Sequence, residues 1–361
     1  MTFAAAPYME WAKTRPRPRI DLAGSNLLAC RLEDLPGARE AVELAGESPE
    51  GYPPLREAIA RRYGVLPAQV ATAVGCSGAN FLALSSLLEP GDDVVAETPH
   101  YDPILAAARM AGAAVRSFER RLADNFDVDP EAVEAAMTPK TRVVAITNPH
   151  NPSGVLASPA RLAALARLVE RRGVRVLVDE VYLDAANEPG ARSAVHLSPL
   201  FVTTNSLTKS YGLASLRCGW ILASGETAAR VRRVRDAVDV WSPMPADRLS
   251  VLAFRHLPVL AERARRIVEA NRTAVVRFLA GRGDLASVAP KATIAFPRLE
   301  AASSADSFAE RLFETTGTAV APGRFFGAPR HFRIAFGGDP AAVAEGLAAV
   351  ARTLDALDGA S

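Results

Sequence analysis

Between residue 54 and about residue 225, short β-branched runs alternate with stretches whose apolar residues recur at helical spacing. Asp93–Glu97, Arg142–Thr147, Arg175–Asp179, Phe201–Asn205 and Cys218–Ala223 read as strands. Between them, Ala79–Leu88, Ile104–Gly112 and Pro159–Arg172 carry the helical period. This alternation predicts an α/β fold: a mostly parallel sheet with helices on both faces.

Past residue 225 the pattern changes. The Arg-rich stretch 226–283 predicts two or three helices, broken at Trp241-Ser-Pro-Met-Pro245. A short run at Thr293–Phe296 follows, then a helix around 306–316, strands near 318–321 and 331–336, and a closing helix at 340–355. That block is too poor in strands to be a second doubly wound sheet, so a domain boundary is expected near 240–250. Residues 1–50 read as irregular and rich in Pro and Gly, with the TRPRPR run at 14–19 as an extended connector. No internal repeat of 20–50 residues is visible.

The length, 361 residues, suits two domains of roughly 150 residues or more. With 42 basic against 40 acidic residues the net charge is +2, and no basic block concentrates it, so the chain lacks the electrostatic footprint of a nucleic-acid binder. Four of the basic residues are lysines (13, 140, 209 and 291), which makes a well-placed lysine conspicuous. Cys30, Cys76 and Cys218 are far apart with no CxxC pair, and the five histidines show no metal-binding spacing. These patterns point to no metal and no disulfide framework, and they suit a reducing compartment. No apolar run reaches the ~18 residues of a membrane span, and the N-terminus has no basic start, so a cytoplasmic two-domain protein without membrane contact is expected.

The segment richest in chemistry is Ser206-Leu-Thr-Lys209-Ser-Tyr-Gly-Leu-Ala-Ser-Leu-Arg217-Cys-Gly219-Trp220. Lys209 follows a predicted strand among Thr, Ser and Gly, where desolvation would free its amine as a nucleophile. The hydroxyls of Ser206 and Thr208 and the guanidinium of Arg217 suit a phosphate. Read alone, a lysine in a turn is more often simply exposed.

The segment resembles the Schiff-base lysine motif of the fold-type I aminotransferases, classes I and II, which use pyridoxal phosphate. Their pattern S-x-[ST]-K, then G-x-x-x-x-R-x-G-[YW], is matched by Ser206, Lys209, Gly212, Arg217, Gly219 and Trp220. The resemblance extends in order over about residues 50–340. Gly51-Tyr52-Pro53 is similar to the family's entry to the large domain, and Gly75-Cys76-Ser77-Gly78-Ala79 to its phosphate turn. Pro99-His100-Tyr101, Asn148-Pro-His-Asn151-Pro-Ser-Gly154, Asp179-Glu180-Val181-Tyr182 and Phe332-Arg333-Ile334 are similar to its P-x-[YW], NPxNPTG, D-E-x-Y and R-[IL] elements. Ser153 replaces the commoner threonine.

The resemblance implies a large domain at 41–245 and a smaller α+β domain made of 1–40 and 246–361. It implies transamination between an amino acid and a 2-oxo acid, with Lys209 as covalent anchor and general acid/base. Asp179 would keep the pyridine nitrogen protonated, so that the ring acts as an electron sink. Tyr182 and Asn151 would donate to the ring oxygen, and Tyr101 would stack on the ring. Cys76, Ser77, Ser206, Thr208 and Arg217 would hold the phosphate. Arg333 would clamp the substrate α-carboxylate, with Asn151 and Gly24 nearby. Tyr52 would reach the partner subunit's phosphate, implying a homodimer with shared sites. Arg324, in Pro322-Gly323-Arg324-Phe325-Phe326-Gly327, is either a solvated loop cation or a contact for an acidic side chain.

The same motifs serve β-elimination, decarboxylation and biosynthetic cyclisation, which therefore stand as alternatives. A regulatory sensor built on this domain would carry a DNA-binding helix-turn-helix in front, and the 40–50 irregular residues there do not read as one.

Overall fold

The β-branched runs pair into one sheet of seven strands: β1 (Val70–Val74), β2 (Asp93–Thr98), β3 (Ala114–Glu119), β4 (Thr141–Thr147), β5 (Arg175–Asp179), β6 (Phe201–Ser206) and β7 (Cys218–Leu222). Their order is β1-β7-β6-β5-β4-β2-β3. Only β7 runs antiparallel to its neighbours, so the sheet is mixed but mostly parallel. Strands β5, β6 and β7 are buried almost throughout, as helices on both faces require. The computed structural model describes residues 5–300 and 304–358. Residues 1–4, 301–303 and 359–361, part of the expected smaller domain, lie outside the described residues.

Two strands escape the sequence pattern for physical reasons. Strand β3 is an edge strand with mostly exposed, partly charged residues, which is how edges avoid pairing with other chains. Strand β1 is rich in alanine, a weak strand former. The helix expected from Ala79 starts earlier, at Gly75, and runs to Leu87. The Arg-rich stretch resolves into three helices, Gly225–Arg235, Met244–Arg255 and Leu257–Ala280, with the Pro-containing break between the first two.

The irregular reading of residues 1–50 needs correction. Pro7–Thr14 is a helix with proline at its start. None of its own side chains caps it; the Tyr8 amide instead donates to Asp102 Oδ2 at 3.0 Å, 94 residues away. A cap borrowed from so far along the chain leaves no local signature. Farther on, Ile20–Asp21 pairs in parallel with Thr318–Ala319. Ile20 and Leu22 join a core with Phe308, Phe332, Phe336 and Val350. Leu35 and Ala38 pack instead with Leu55, Ile59 and Trp220. No helix among the described residues is long and apolar enough to cross a membrane, and all three cysteines are free.

The sheet's direction decides where the loops meet. Strands β1, β2, β4, β5 and β6 all end on one edge, and β7 starts there, with Val74 paired to Cys218 and Ser206 to Gly219. Thr147, Asp179 and Thr204 lie in register across β4, β5 and β6. Ligands of open α/β sheets bind outside this carboxyl edge.

Candidate active site

Outside the carboxyl edge lies a cavity of about 210 Å³, lined by Met9, Asn26, Cys76, Ser77, Tyr101, Asn151, Asp179, Val181, Tyr182, Ser206, Thr208, Lys209 and Arg217. Ten of the residues singled out in the sequence thus converge, from the ends of five strands and the start of a sixth. Arg333 adjoins them through Asn151.

Lys209 sits in the short helix Leu207–Tyr211, which is capped by Ser206. Its Nζ donates to Ser25 Oγ at 3.0 Å and to Asn26 Oδ1 at 2.7 Å. Burial, reinforced by the nearby Arg333 guanidinium and opposed by Asp179, lowers its amine to about 7. A large fraction is therefore an unprotonated nucleophile at neutral pH.

Asp179 is buried at the end of β5. Its Oδ1 accepts from the Val181 amide at 3.0 Å, and its Oδ2 from Asn80 Nδ2 at 2.7 Å. Burial pushes its carboxyl up, while Asn80, Val181, Cys76 and Lys209 pull it down. Tyr182 is also buried, and burial moves its phenol up to about 12. Burial also raises the Cys76 thiol well above its usual range, which makes it a poor nucleophile.

Arg333 lies in the strand Phe332–Ala335 and is fully buried. Nη1 donates to Asn151 Oδ1 at 2.9 Å, and Nη2 to Ala23 O at 2.9 Å and to the Tyr8 hydroxyl. The guanidinium lies 4.9 Å from the ring centroids of both Tyr8 and Phe326. Asn151 is itself tied back: its amide donates to Thr147 Oγ1, and that hydroxyl donates to Glu97, which ion-pairs with Arg120. A buried guanidinium held on one side by neutral acceptors is suited to a carboxylate on the other.

At the far end, two glycines let the backbones meet. A Cβ on Gly75 would lie 2.2 Å from Arg217 Nη2, and one on Gly219 would lie 2.3 Å from the Gly75 carbonyl carbon. This close approach sets the Arg217 guanidinium beside the first turn of Gly75–Leu87, and a helix N-terminus attracts an anion. The Thr208 and Tyr182 hydroxyl oxygens are buried without a hydrogen-bond partner among the described residues, a costly arrangement unless a ligand supplies one. An anion cradle at one end, a nucleophilic amine in the middle and a buried carboxylate beside it fit pyridoxal phosphate.

Besides Arg333, three residues fall outside the cavity lining. Tyr52 packs with Leu55 and Ile59. Gly24 turns its amide to Asp21, while its neighbours Ser25 and Asn26 reach Lys209. Arg324 ion-pairs with Asp306, lies over the Phe325 ring, and lines a different cavity with Trp11 and Arg15. Tyr8, Met9, Ser25, Asn26 and Asn80 were not found by sequence reasoning. A proline followed by an aromatic and Glu10 was a usable helix-start signal for the first two. The others have no local signal.

The family profile described as aminotransferase class I and II matches residues 43–350. The chain is similar to capreomycidine synthase of Streptomyces vinaceus, 31% identical over 97% of this chain and 94% of that one. It is also similar to aspartate aminotransferase of Thermotoga maritima, 29% identical over 81% and 79%. A crystal structure of a pyridoxal-phosphate-dependent aminotransferase from Streptococcus suis superposes with a TM-score of 0.92, at 25% identity over 98% of both chains. Sequence, fold and the chemistry of the cavity agree, and the chain belongs to the class I and II aminotransferases, which work with pyridoxal phosphate.

Proposed function

We propose that this protein moves an amino group between an amino acid and a 2-oxo acid, with Lys209 as the attachment point of pyridoxal phosphate and as the proton carrier. The observation that carries the reading is one cavity holding the depressed amine of Lys209, the buried Asp179 and, through Asn151, the buried Arg333. Ser77, the Cys76 amide, Ser206, Thr208 and Arg217 would take the phosphate. Tyr182 and Asn151 would donate to the ring oxygen, Tyr101 would cover the ring face, and Asp179 would face its nitrogen. Once bound, the cofactor supplies an electron sink for the charge left on the substrate's Cα.

The protein's own groups do the rest. Arg333 binds the α-carboxylate and so fixes the orientation of the Cα–H bond. With the cofactor bound, Lys209 Nζ would take the Cα proton and return it as an acid. A value near neutrality lets one group serve in both directions.

Reconstitution with pyridoxal phosphate, reduction with borohydride and peptide mapping test this. The cofactor should be fixed at Lys209; no uptake, or a label at Lys13, Lys140 or Lys291, refutes the reading. The end-to-end similarity to a synthase favours, as a second reading, a biosynthetic cyclisation in the same site. The two differ in stoichiometry: a transaminase releases one 2-oxo acid per site from its donor when no acceptor is present, and a cyclase releases none.

We also propose a cytoplasmic homodimer whose sites are shared, with 41–245 as the cofactor domain and 1–40 plus 246–361 as the smaller one. Tyr52, outside its own subunit's cavity, is free to serve the neighbour's phosphate. Mixing Tyr52→Phe with Lys209→Ala subunits should then create one intact hybrid site. Full activity as a monomer would overturn the sharing.

A further inference from the structure

Asp179 takes one of its hydrogen bonds from a side chain that none of the motifs includes. Asn80, on the helix Gly75–Leu87, is buried, as are Asp179 and its register partner Thr204. Asn80 Nδ2 donates to Asp179 Oδ2 at 2.7 Å, and Thr204 Oγ1 donates to Asn80 Oδ1 at 2.6 Å.

The direction of this chain matters. A carboxamide presents donors at one end and an acceptor at the other, whereas an ionised carboxylate only accepts. An ionised Asp179 therefore demands the NH2 end of Asn80, which leaves the amide oxygen facing β6, where the Thr204 hydroxyl meets it with a proton. A flipped amide would set its oxygen against Asp179 Oδ2 and be tolerated only if the carboxyl were protonated. The polarity Thr204 to Asn80 to Asp179 thus favours the ionised form of a carboxylate that burial alone would neutralise.

We infer that Asn80, oriented by Thr204, is a positioning residue that keeps Asp179 acceptor-only and aimed into the cofactor cavity, and so sets the protein's affinity for pyridoxal phosphate. This rests on the reading of Asp179 as the partner of the ring nitrogen. Asn80 itself touches no reacting atom.

The alternative is that Asn80 only satisfies buried polar groups. A double-mutant cycle on cofactor binding separates the two. Apoprotein is titrated with pyridoxal phosphate, by fluorescence and visible absorbance, across the neutral pH range. Asn80→Leu should weaken binding by about tenfold or more, the scale of losing one hydrogen bond to a charged group. The loss should deepen toward acid pH, where Asp179 without its donor takes a proton first. Thr204→Val, which removes one hydroxyl, should show the same trend with a smaller loss of about threefold. In an Asp179→Ala background neither substitution should matter further. Parent-like affinity in Asn80→Leu, or an equal loss with and without Asp179, overturns the inference. Should Asn80→Leu not fold, Thr204→Val carries the same pair of outcomes. A parent protein that takes up no pyridoxal phosphate overturns the proposed function as well, whereas a parent that binds it and variants that bind equally well overturn this inference alone.

Discussion

One wall of the cavity is the carboxyl edge of the sheet; the other is the segment from Pro7 to Asn26. The first carries Asp179, Ser206, Lys209 and Arg217 on strand ends whose register is fixed by backbone pairing. The second contributes Met9 and Asn26 to the lining and sends Ser25 to Lys209 and Tyr8 to Arg333; its helix Pro7–Thr14 is held by side chains, through the Asp102 cap, the Tyr8 hydroxyl and aromatic contacts of Tyr8 with Tyr101 and Phe325, whereas Ile20–Asp21 beyond it is paired with Thr318–Ala319. A wall made of ladder hydrogen bonds opens only when the sheet does. The helix Pro7–Thr14, held by a borrowed cap and a few side chains, opens locally, at far lower cost. The two walls should therefore respond differently to substitution.

That contrast can be broken from either side. The largest effect should come from the rigid wall: Lys209→Ala should slow the half-reaction by about 10²–10⁴-fold, the usual worth of a placed general acid/base. In the parent apoprotein, the rate of cofactor capture should rise as pH passes upward through about 7, because only the unprotonated amine attacks; a rate flat across this range would contradict the lowered value.

Arg333→Ala, at the seam between the walls, should leave cofactor binding intact. It should weaken amino-acid binding by about 2–5 kcal/mol, as when a partner of a buried charge pair is removed; a KM equal to the parent's would remove it as the clamp. Tyr8→Phe should raise KM about tenfold with kcat little changed, since it takes one hydrogen bond from a charged group. Parallel losses in cofactor affinity would show that the two walls are not separable.

The smallest effect belongs to the hinge of the second wall. Asp102→Ala removes the cap of Pro7–Thr14, worth about 0.5–2 kcal/mol. Hydrogen exchange should quicken in that helix while β4, β5 and β6 stay protected. Uniform quickening would mean that the N-terminal helix is part of the global fold rather than a separate, looser unit.

The sheet was legible where burial on both faces forced continuous apolar runs, as in β5, and illegible where an exposed edge or alanine removed that pressure, as in β3 and β1. The site divides the same way. Lys209, Gly212, Arg217 and Gly219 stand within one short segment at the end of β6 and the start of β7, so their spacing is readable there, even though the approach that demands Gly219 is to Gly75. Sequence by itself determined the class of fold and, through the family resemblance of its motifs, the cofactor, since each motif is made of residues a few positions apart. Only the tertiary structure decided that Tyr8 meets Arg333, that Asp102 caps a helix 94 residues earlier and that Asn80 and Thr204 hold Asp179. Those contacts join residues about 94 to 325 positions apart. A side chain that serves a distant partner need satisfy no rule in its own neighbourhood, so it leaves no pattern there to read.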